Sequence, residues 1–286
     1  MSFSAELKTE LCKLKVSECC RKAELSAMAV FGLDFSRKNI SFLSGTAAVA
    51  QNFGYLLHKT LRLSVRSAGS DGIRPTYKVS LTENDAAVLK EYLENFVLSE
   101  NECCLNSFLR GAFLACGQIS DPDKSIRIDF RVKNKEYTDY LCNLLTNRGL
   151  DFYISRRDKY DLIYIKKSES VEDLITCMGA GNITLKIMEA KMVKELRNDT
   201  NRRANIEVFN LGKIVNSSVK QRTAIEKIIK KEKFETLPDD LKEVALLRMA
   251  NQEASLEELC KLCSFSVTRS GLNHKLQRLI DLSKEI

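Results

Sequence analysis

The chain lacks any apolar run approaching the roughly 18 residues that would span a bilayer. Its first ten residues, Met-Ser-Phe-Ser-Ala-Glu-Leu-Lys-Thr-Glu, hold no basic stretch followed by an apolar one. A secreted or membrane-spanning protein is therefore not expected, and the cytoplasm is the expected compartment. No glycine-rich phosphate loop is present: Gly179-Ala-Gly181 has neither the Lys-Ser/Thr ending nor a suitable strand before it. No small-molecule cofactor is implied. Histidine is scarce, two residues in 286, which argues against imidazole-rich metal sites. The ten cysteines read as reduced thiols, several of them buried as small hydrophobes. The dipeptides Cys19-Cys20 and Cys103-Cys104 could meet across a pseudo-twofold axis and bind zinc, but adjacent cysteines direct their side chains apart. Packed thiols are the preferred reading, and no metal is expected. Cys260-x-x-Cys263 lies inside an amphipathic helix with no second pair nearby and takes the same reading.

What is present is a chain of 286 residues, 44% apolar, long enough for two or three domains with a sizeable core. Its net charge of +7 is unevenly spread. Residues 184–233 carry 13 Lys/Arg against 6 Asp/Glu, whereas residues 1–181 carry 25 against 23. A basic connector beside a helical segment fits an anionic partner; a solubilising surface is the plainer alternative.

One phrase occurs twice, 84 residues apart: Glu18-Cys19-Cys20…Leu25…Gly32 and Glu102-Cys103-Cys104…Leu109…Gly117. Each copy opens a unit of about 80 residues with one order of periodicities, helix, strand, helix, strand, strand, helix. In the first unit an amphipathic helix near Ala5–Lys15 precedes the repeat helix Arg21–Phe31. Then come a strand from Asn39 to Ser44, a helix Thr46–Leu61, strands Arg62–Ser67 and Thr76–Leu81 joined through Ala-Gly-Ser-Asp-Gly, and a helix capped by Thr82. The second unit runs through helix Asn106–Cys116, strand Ser125–Val132, helix Lys135–Asn147, strands Leu150–Arg156 and Tyr160–Lys166, and a helix from Ser168. The expected fold is α+β, with the two repeat helices packed together through Ala27, Gly111 and Ala115.

The segment Leu109-Arg-Gly-Ala-Phe-Leu-Ala-Cys-Gly117 is similar to the LAGLIDADG motif of homing endonucleases, whose motif helices join two αββαββα units. That resemblance implies a metal-binding acid just before the last glycine of each motif. The matching positions here are Cys116 and Gly32, and neither supplies the oxygen ligands that magnesium requires. These are degenerate metal positions, and cleavage is not expected; a residual Mg-dependent endonuclease is the weakest competing reading. Arg62, Arg66, Arg127, Arg131, Arg156 and Arg157 sit on or beside predicted strands and would hold phosphates. The row Arg127, Asp129, Arg131 is equally what a solvated mixed-sign face looks like.

The tail is helical. Residues from Asn182 to about Asn198–Asn201 place Leu185, Met188, Met192 and Leu196 on one side. Arg197-Asn-Asp-Thr-Asn-Arg-Arg203 breaks the periodicity and offers Arg197, Arg202 and Arg203 to phosphates, and a second helix follows from Asn205 to Lys230. The polar stretch Lys230–Thr236 reads as a linker to a separate body of three helices. The first begins at Pro238-Asp-Asp, the second at the capping box Ser255-Leu-Glu-Glu258, and the third runs from about Val267 to Leu282. In the third, Leu272, Leu276 and Leu279 point inward. The opposite side carries Thr268, Arg269, Ser270, Asn273, His274, Gln277 and Arg278. Hydroxyls, amides and guanidinium groups are the chemistry that reads base edges and phosphates in a major groove. A plain three-helix bundle is the competing reading. His274 has no Ser/Asp partner and fits a phosphate or base contact better than a catalytic base.

The whole chain resembles the WhiA family of bacterial regulators. Its most telling stretches are Ser107 to Pro122, Val193-Lys-Glu-Leu-Arg-Asn198 with Asn201-Arg202, and Ser270-Gly-Leu-Asn-His-Lys-Leu276. The resemblance implies a non-catalytic, sequence-specific transcriptional regulator. It joins a degenerate LAGLIDADG-like domain to a helix-turn-helix similar to sigma-factor region 4, and is linked to sporulation, cell division or chromosome segregation. The expected domains are residues 1–181, with lobes of about 1–98 and 99–181, a basic connector 182–233, and a helix-turn-helix domain 234–286. The expected partner is double-stranded DNA at promoters, which would place the protein on the nucleoid. RNA polymerase or a sigma factor is the partner if the repeat domain acts as a protein scaffold. Because two lobes already supply pseudo-symmetry, a monomer is expected.

Overall fold

The structure, a computed structural model, describes residues 2–35, 40–70 and 75–285. Asn39, where the first strand was expected to start, and the Asp71-Gly72 end of the turn after Ser70 lie outside the described residues. The chain divides into two compact units, residues 1–194 and 195–286.

The first unit begins with α1 (Phe3–Leu11) and α2 (Glu18–Gly32). Strand β1 (Ser41–Ser44), α3 (Ala47–Leu61), β2 (Arg66–Ser70), β3 (Thr76–Ser80) and α4 (Glu83–Asn95) complete the first repeat. Helix α4 starts as its sequence dictates: Thr82 accepts from the Asp85 N–H, and the Asp85 carboxylate accepts from the Thr82 N–H. The second repeat comprises α5 (Glu102–Cys116), β4 (Gly117–Ile119), β5 (Ile128–Val132), α6 (Glu136–Asn147), β6 (Tyr153–Arg156), β7 (Asp161–Ile165) and α7 (Ser168–Met178). The sheets are antiparallel, ordered β1-β3-β2 and β4-β5-β7-β6. Strand β4 escaped the sequence reading because three residues are too few to show alternation; it exists through pairing, Gly117 opposite Phe130 and Ile119 opposite Ile128. With it the second repeat is αββαββα. Helices cover one face of each sheet, so Ile128 and Phe130 are fully buried while Arg131, between them and Val132, is exposed.

The repeat helices α2 and α5 form the centre of this unit. A Cβ on Gly111 would lie 2.5 Å from the Glu24 carbonyl oxygen and 2.8 Å from the Ala27 Cβ. Only glycine permits that approach. Beside the crossing, Arg110 of α5 and Glu24 of α2 are both buried, and Arg110 donates from Nε (2.9 Å) and Nη2 (2.7 Å) to Glu24 Oε2. Asn52 Nδ2 donates to the other carboxylate oxygen at 2.8 Å. Arg110 also donates to the Met178 carbonyl (3.1 Å) and Ser107 Oγ (3.0 Å), so both charges are well satisfied. The sequence reading did not pair these residues.

Helix α8 runs unbroken from Gly181 to Lys230, so the break expected at residues 197–203 is absent. The short polar residues there are tolerated inside a helix and need not end it. The expected apolar side is present in the helix but faces outward. Leu185, Met188, Met192 and Leu196 are exposed, and Ile183, Thr184 and Ile187 are the buried residues near that end. At the other end Ala224, Ile225 and Ile228 are buried, Ile225 and Ile228 in one core with Leu241, Val244, Leu259, Leu272, Leu276 and Leu279. The expected linker is likewise folded into this core. Glu232 takes a left-handed conformation (φ 57°), a 3-10 turn spans Phe234–Thr236, and Phe234 packs on the helical core. The unit is completed by α9 (Asp239–Ala250), α10 (Leu256–Leu262) and α11 (Arg269–Lys284).

Candidate nucleic-acid interface

Helix α11 has the leucine spacing that buries one side and frees the other. Leu272, Leu276 and Leu279 are at most 1% exposed, while Thr268, Arg269, Ser270, Asn273, His274, Gln277 and Arg278 are all exposed. The helix starts where Thr268 Oγ1 accepts from the Gly271 N–H at 3.2 Å. Thr268 is therefore committed as a cap.

Two turns fix the helices behind this face. Arg248 of α9 is buried and donates to the Ala254 and Asn251 carbonyls at 2.8 and 3.4 Å, which holds the α9–α10 turn closed. Burial pulls its guanidinium below the usual arginine range. Glu243 accepts from the Ser264 hydroxyl (2.6 Å) and N–H (2.5 Å), pinning the α10–α11 turn, and these bonds, the hydroxyl first, lower its carboxyl from the ordinary value. At the α8 side, Ser218 Oγ donates to the Gln252 carbonyl at 2.5 Å and Arg222 to the Gln252 side chain at 2.6 Å.

Arg269 is paired with Glu257 at 3.4 Å with both side chains exposed, a contact weak enough to yield to a phosphate or base. Gln277 donates to Asp281 at 3.2 Å. Arg269 and Asn273 also border a cleft of about 390 Å³ whose other wall includes Asn210, Lys213 and Gln221 of α8. The sequence reading missed Lys213 and Asn210. Their only signal was the basic composition of α8, because their meeting with α11 is tertiary.

Arg197, Arg202 and Arg203 lie on the part of α8 between Met192 and Leu211 in which every residue is exposed. At about 100° per residue they point to different sides of the helix rather than forming one stripe. Arg202 is 3.8 Å from Asp199.

Three strand arginines of the repeat domain have partners. Arg127 bonds Asp129 at 2.5 Å and lies 4.1 Å from the Tyr164 ring centroid. Arg156 is 3.5 Å from Asp139, and Arg157 donates to the Tyr160 hydroxyl at 2.9 Å. Arg62 and Arg66 are exposed.

The two positions where the homing-endonuclease motif places its acids close α2 and α5. At Gly32 a Cβ would lie 2.4 Å from the Phe42 ring, so a carboxylate has no room there. Cys116 is half-buried, and burial pushes its thiol up to about 12. Nearby, Lys8 of α1 donates to the Leu114 carbonyl at 3.2 Å, and burial brings its amine down to about 8. A neutral thiol and an amine make a poor site for a hard divalent ion.

Comparison with known proteins agrees with both units. A family model described as the WhiA C-terminal HTH domain matches residues 200–283, and one described as the WhiA LAGLIDADG-like domain matches residues 105–197. The chain is 34% identical to the probable cell division protein WhiA of Bacillus velezensis, covering 100% of this chain and 97% of that protein. It is 33% identical to the protein of the same name from Bacillus subtilis strain 168, with the same coverage. Its fold is similar to the crystal structure of full-length WhiA from Thermatoga maritima, with a TM-score of 0.62, 24% identity, and 100% and 99% of the two chains covered.

Proposed function

The chain belongs to the WhiA family, and from that premise we propose that it is a sequence-specific DNA-binding regulator of transcription serving cell division, with chromosome segregation and sporulation as related processes. The observation that carries the reading is α11: seven exposed hydroxyl, amide, imidazole and guanidinium side chains lie over three buried leucines. Arg269, Asn273, Gln277 and Arg278 carry donor groups of the kind that read base edges, and Ser270 and His274 suit phosphates. Arg197, Arg202 and Arg203 would add sequence-independent phosphate contacts. The protein is not an enzyme; its Gly32 and Cys116 offer no oxygen where a nuclease of this fold would hold metal.

The division of labour we propose follows the domains. Residues 234–286 read DNA, the basic segment of residues 182–233 contributes phosphate contacts, and residues 1–181 act as a scaffold. Neutralisation of Arg127 by Asp129 favours a protein partner for that scaffold, RNA polymerase or a sigma factor, over a second duplex-binding surface. The protein would act as a monomer on the nucleoid.

The test is selection of bound duplexes from genomic DNA by the full chain, followed by footprinting. Discrete protected sites that outcompete scrambled duplexes by about 10³-fold or more are expected of a specific binder. Uniform binding without protected sites would overturn the regulator reading, as would Mg²⁺-dependent cutting that EDTA abolishes.

A further inference from the structure

The structure brings together four residues that the sequence reading kept apart. The Sγ atoms of Cys19, Cys20, Cys103 and Cys104 all lie within 4.8 Å of one another. Within the dipeptides the separations are 4.0 and 3.9 Å. Adjacent cysteines on a helix do diverge, by about 100°, and the pseudo-twofold packing turns that divergence to use. Cys20 and Cys104 point inward and are buried, Cys19 and Cys103 face solvent, and the two pairs surround one point.

We propose that these four thiols bind one zinc ion that clasps the N-termini of α2 and α5. A zinc–sulfur bond of about 2.3 Å sets tetrahedral sulfur–sulfur edges of about 3.8 Å. The dipeptide pairs already meet that edge, and the remaining separations need to shorten by no more than about 1 Å to reach it. An all-sulfur donor set selects zinc over magnesium or calcium. Each dipeptide occupies the first turn of a 15-residue helix, at its positive end. Ser17 Oγ lies 3.2 Å from Cys19 Sγ and can orient that ligand. Binding releases four protons to solvent and leaves zinc and sulfur in their initial oxidation states. The exposed Cys19 and Cys103 provide the entry side.

The site is separate from the degenerate positions Gly32 and Cys116, which lie at the opposite ends of the same helices. The clasp would hold the two lobes together at the N-terminal end of the helix pair.

The test uses the full chain, purified under reducing conditions. About one zinc per chain is expected by elemental analysis. After chelation, the chain should take up one Co²⁺ per chain and show the strong visible and thiolate-to-metal absorption of a tetrahedral four-sulfur site. Chelation should lower Tm, and zinc should restore it. Cys19→Ser and Cys103→Ser remove exposed ligands and so avoid a packing loss. Each should weaken metal binding by at least about 100-fold, the upper end of what losing an outer-sphere partner causes, with unchanged circular dichroism. Three results would overturn the proposal: a reduced chain that takes up neither metal, wild-type affinity in both serine variants, or a chain that forms disulfides between these cysteines in place of binding metal. Because these readouts involve no DNA, they are independent of the regulator assignment.

Discussion

Arg110 and Arg269 are arginines on amphipathic helices, and their surroundings are opposite. Arg110 is 4% exposed, and its guanidinium is held by Glu24, Ser107 and the Met178 carbonyl. Arg269 is exposed and leans on a single exposed glutamate. The first is spent on joining two helices; the second is available to a partner. The contrast extends to the units that carry them. The repeat domain buries an arginine–glutamate pair at an internal helix crossing, whereas the helical domain buries Arg248 against backbone carbonyls and turns the polar side of α11 outward. The lesson is that arginine content locates a binding surface only after burial is known.

The largest effect should come from breaking the buried side of this contrast. Arg110→Ala leaves the Glu24 carboxylate inside the core with Asn52 as its remaining partner. It should destabilise the full chain by about 3–5 kcal/mol in denaturant unfolding. The double variant Glu24→Leu/Arg110→Met should recover most of that loss, since a packed apolar pair is often as stable as a buried ion pair. Arg269→Ala should change stability by less than about 0.5 kcal/mol. If Arg110→Ala were as mild as Arg269→Ala, the buried pair would not be what the crossing depends on.

A smaller effect is expected at Gly111→Ala. The added methyl meets the Glu24 carbonyl and the Ala27 Cβ inside contact distance, and overpacking of this kind costs about 1–3 kcal/mol. Gly212→Ala in α8 meets nothing within 4 Å. It should raise stability by up to about 1 kcal/mol through helix propensity, so the sign of the change separates the two glycines.

The smallest changes in stability, and the most informative for binding, concern the exposed side. Arg269→Ala and Asn273→Ala should each reduce preference for the cognate duplex over a scrambled one by about 1–3 kcal/mol per lost base contact, with Tm unchanged. Arg197→Ala, Arg202→Ala and Arg203→Ala should weaken both duplexes alike and reduce the salt slope by about one unit per phosphate contact. Affinities measured across a salt series on matched duplexes distinguish these patterns. An unaltered cognate-to-scrambled ratio in both α11 variants would remove α11 as the reader.

Much of this was legible in the chain itself. The duplication, the Thr82 and Ser255 caps and the inward leucines of α11 depend on contacts within a few residues, and periodicity or cap chemistry shows them directly. The exposure of the candidate reading face followed from the same spacing. The errors share a different cause. The break expected at residues 197–203 is absent because propensity is a weak guide in a helix anchored at both ends. Lys230–Thr236 looked like a linker because its polar residues concealed Phe234, which docks on the core. Strand β4 depends on its partner β5, which local pattern does not reveal.

The sequence by itself determined the two repeats, the family, the loss of acids at Gly32 and Cys116, and which side of α11 stays wet, since each rests on residue identity or on spacing along one helix. Only the tertiary structure decided that Glu24 and Arg110 pair, that Gly111 admits the Glu24 backbone, that Lys213 shares a cleft with Arg269, and that four thiols meet at one point. Those contacts join residues 56 to 87 positions apart. Bringing them together depends on how two helices cross, and spacing along either helix does not encode a crossing.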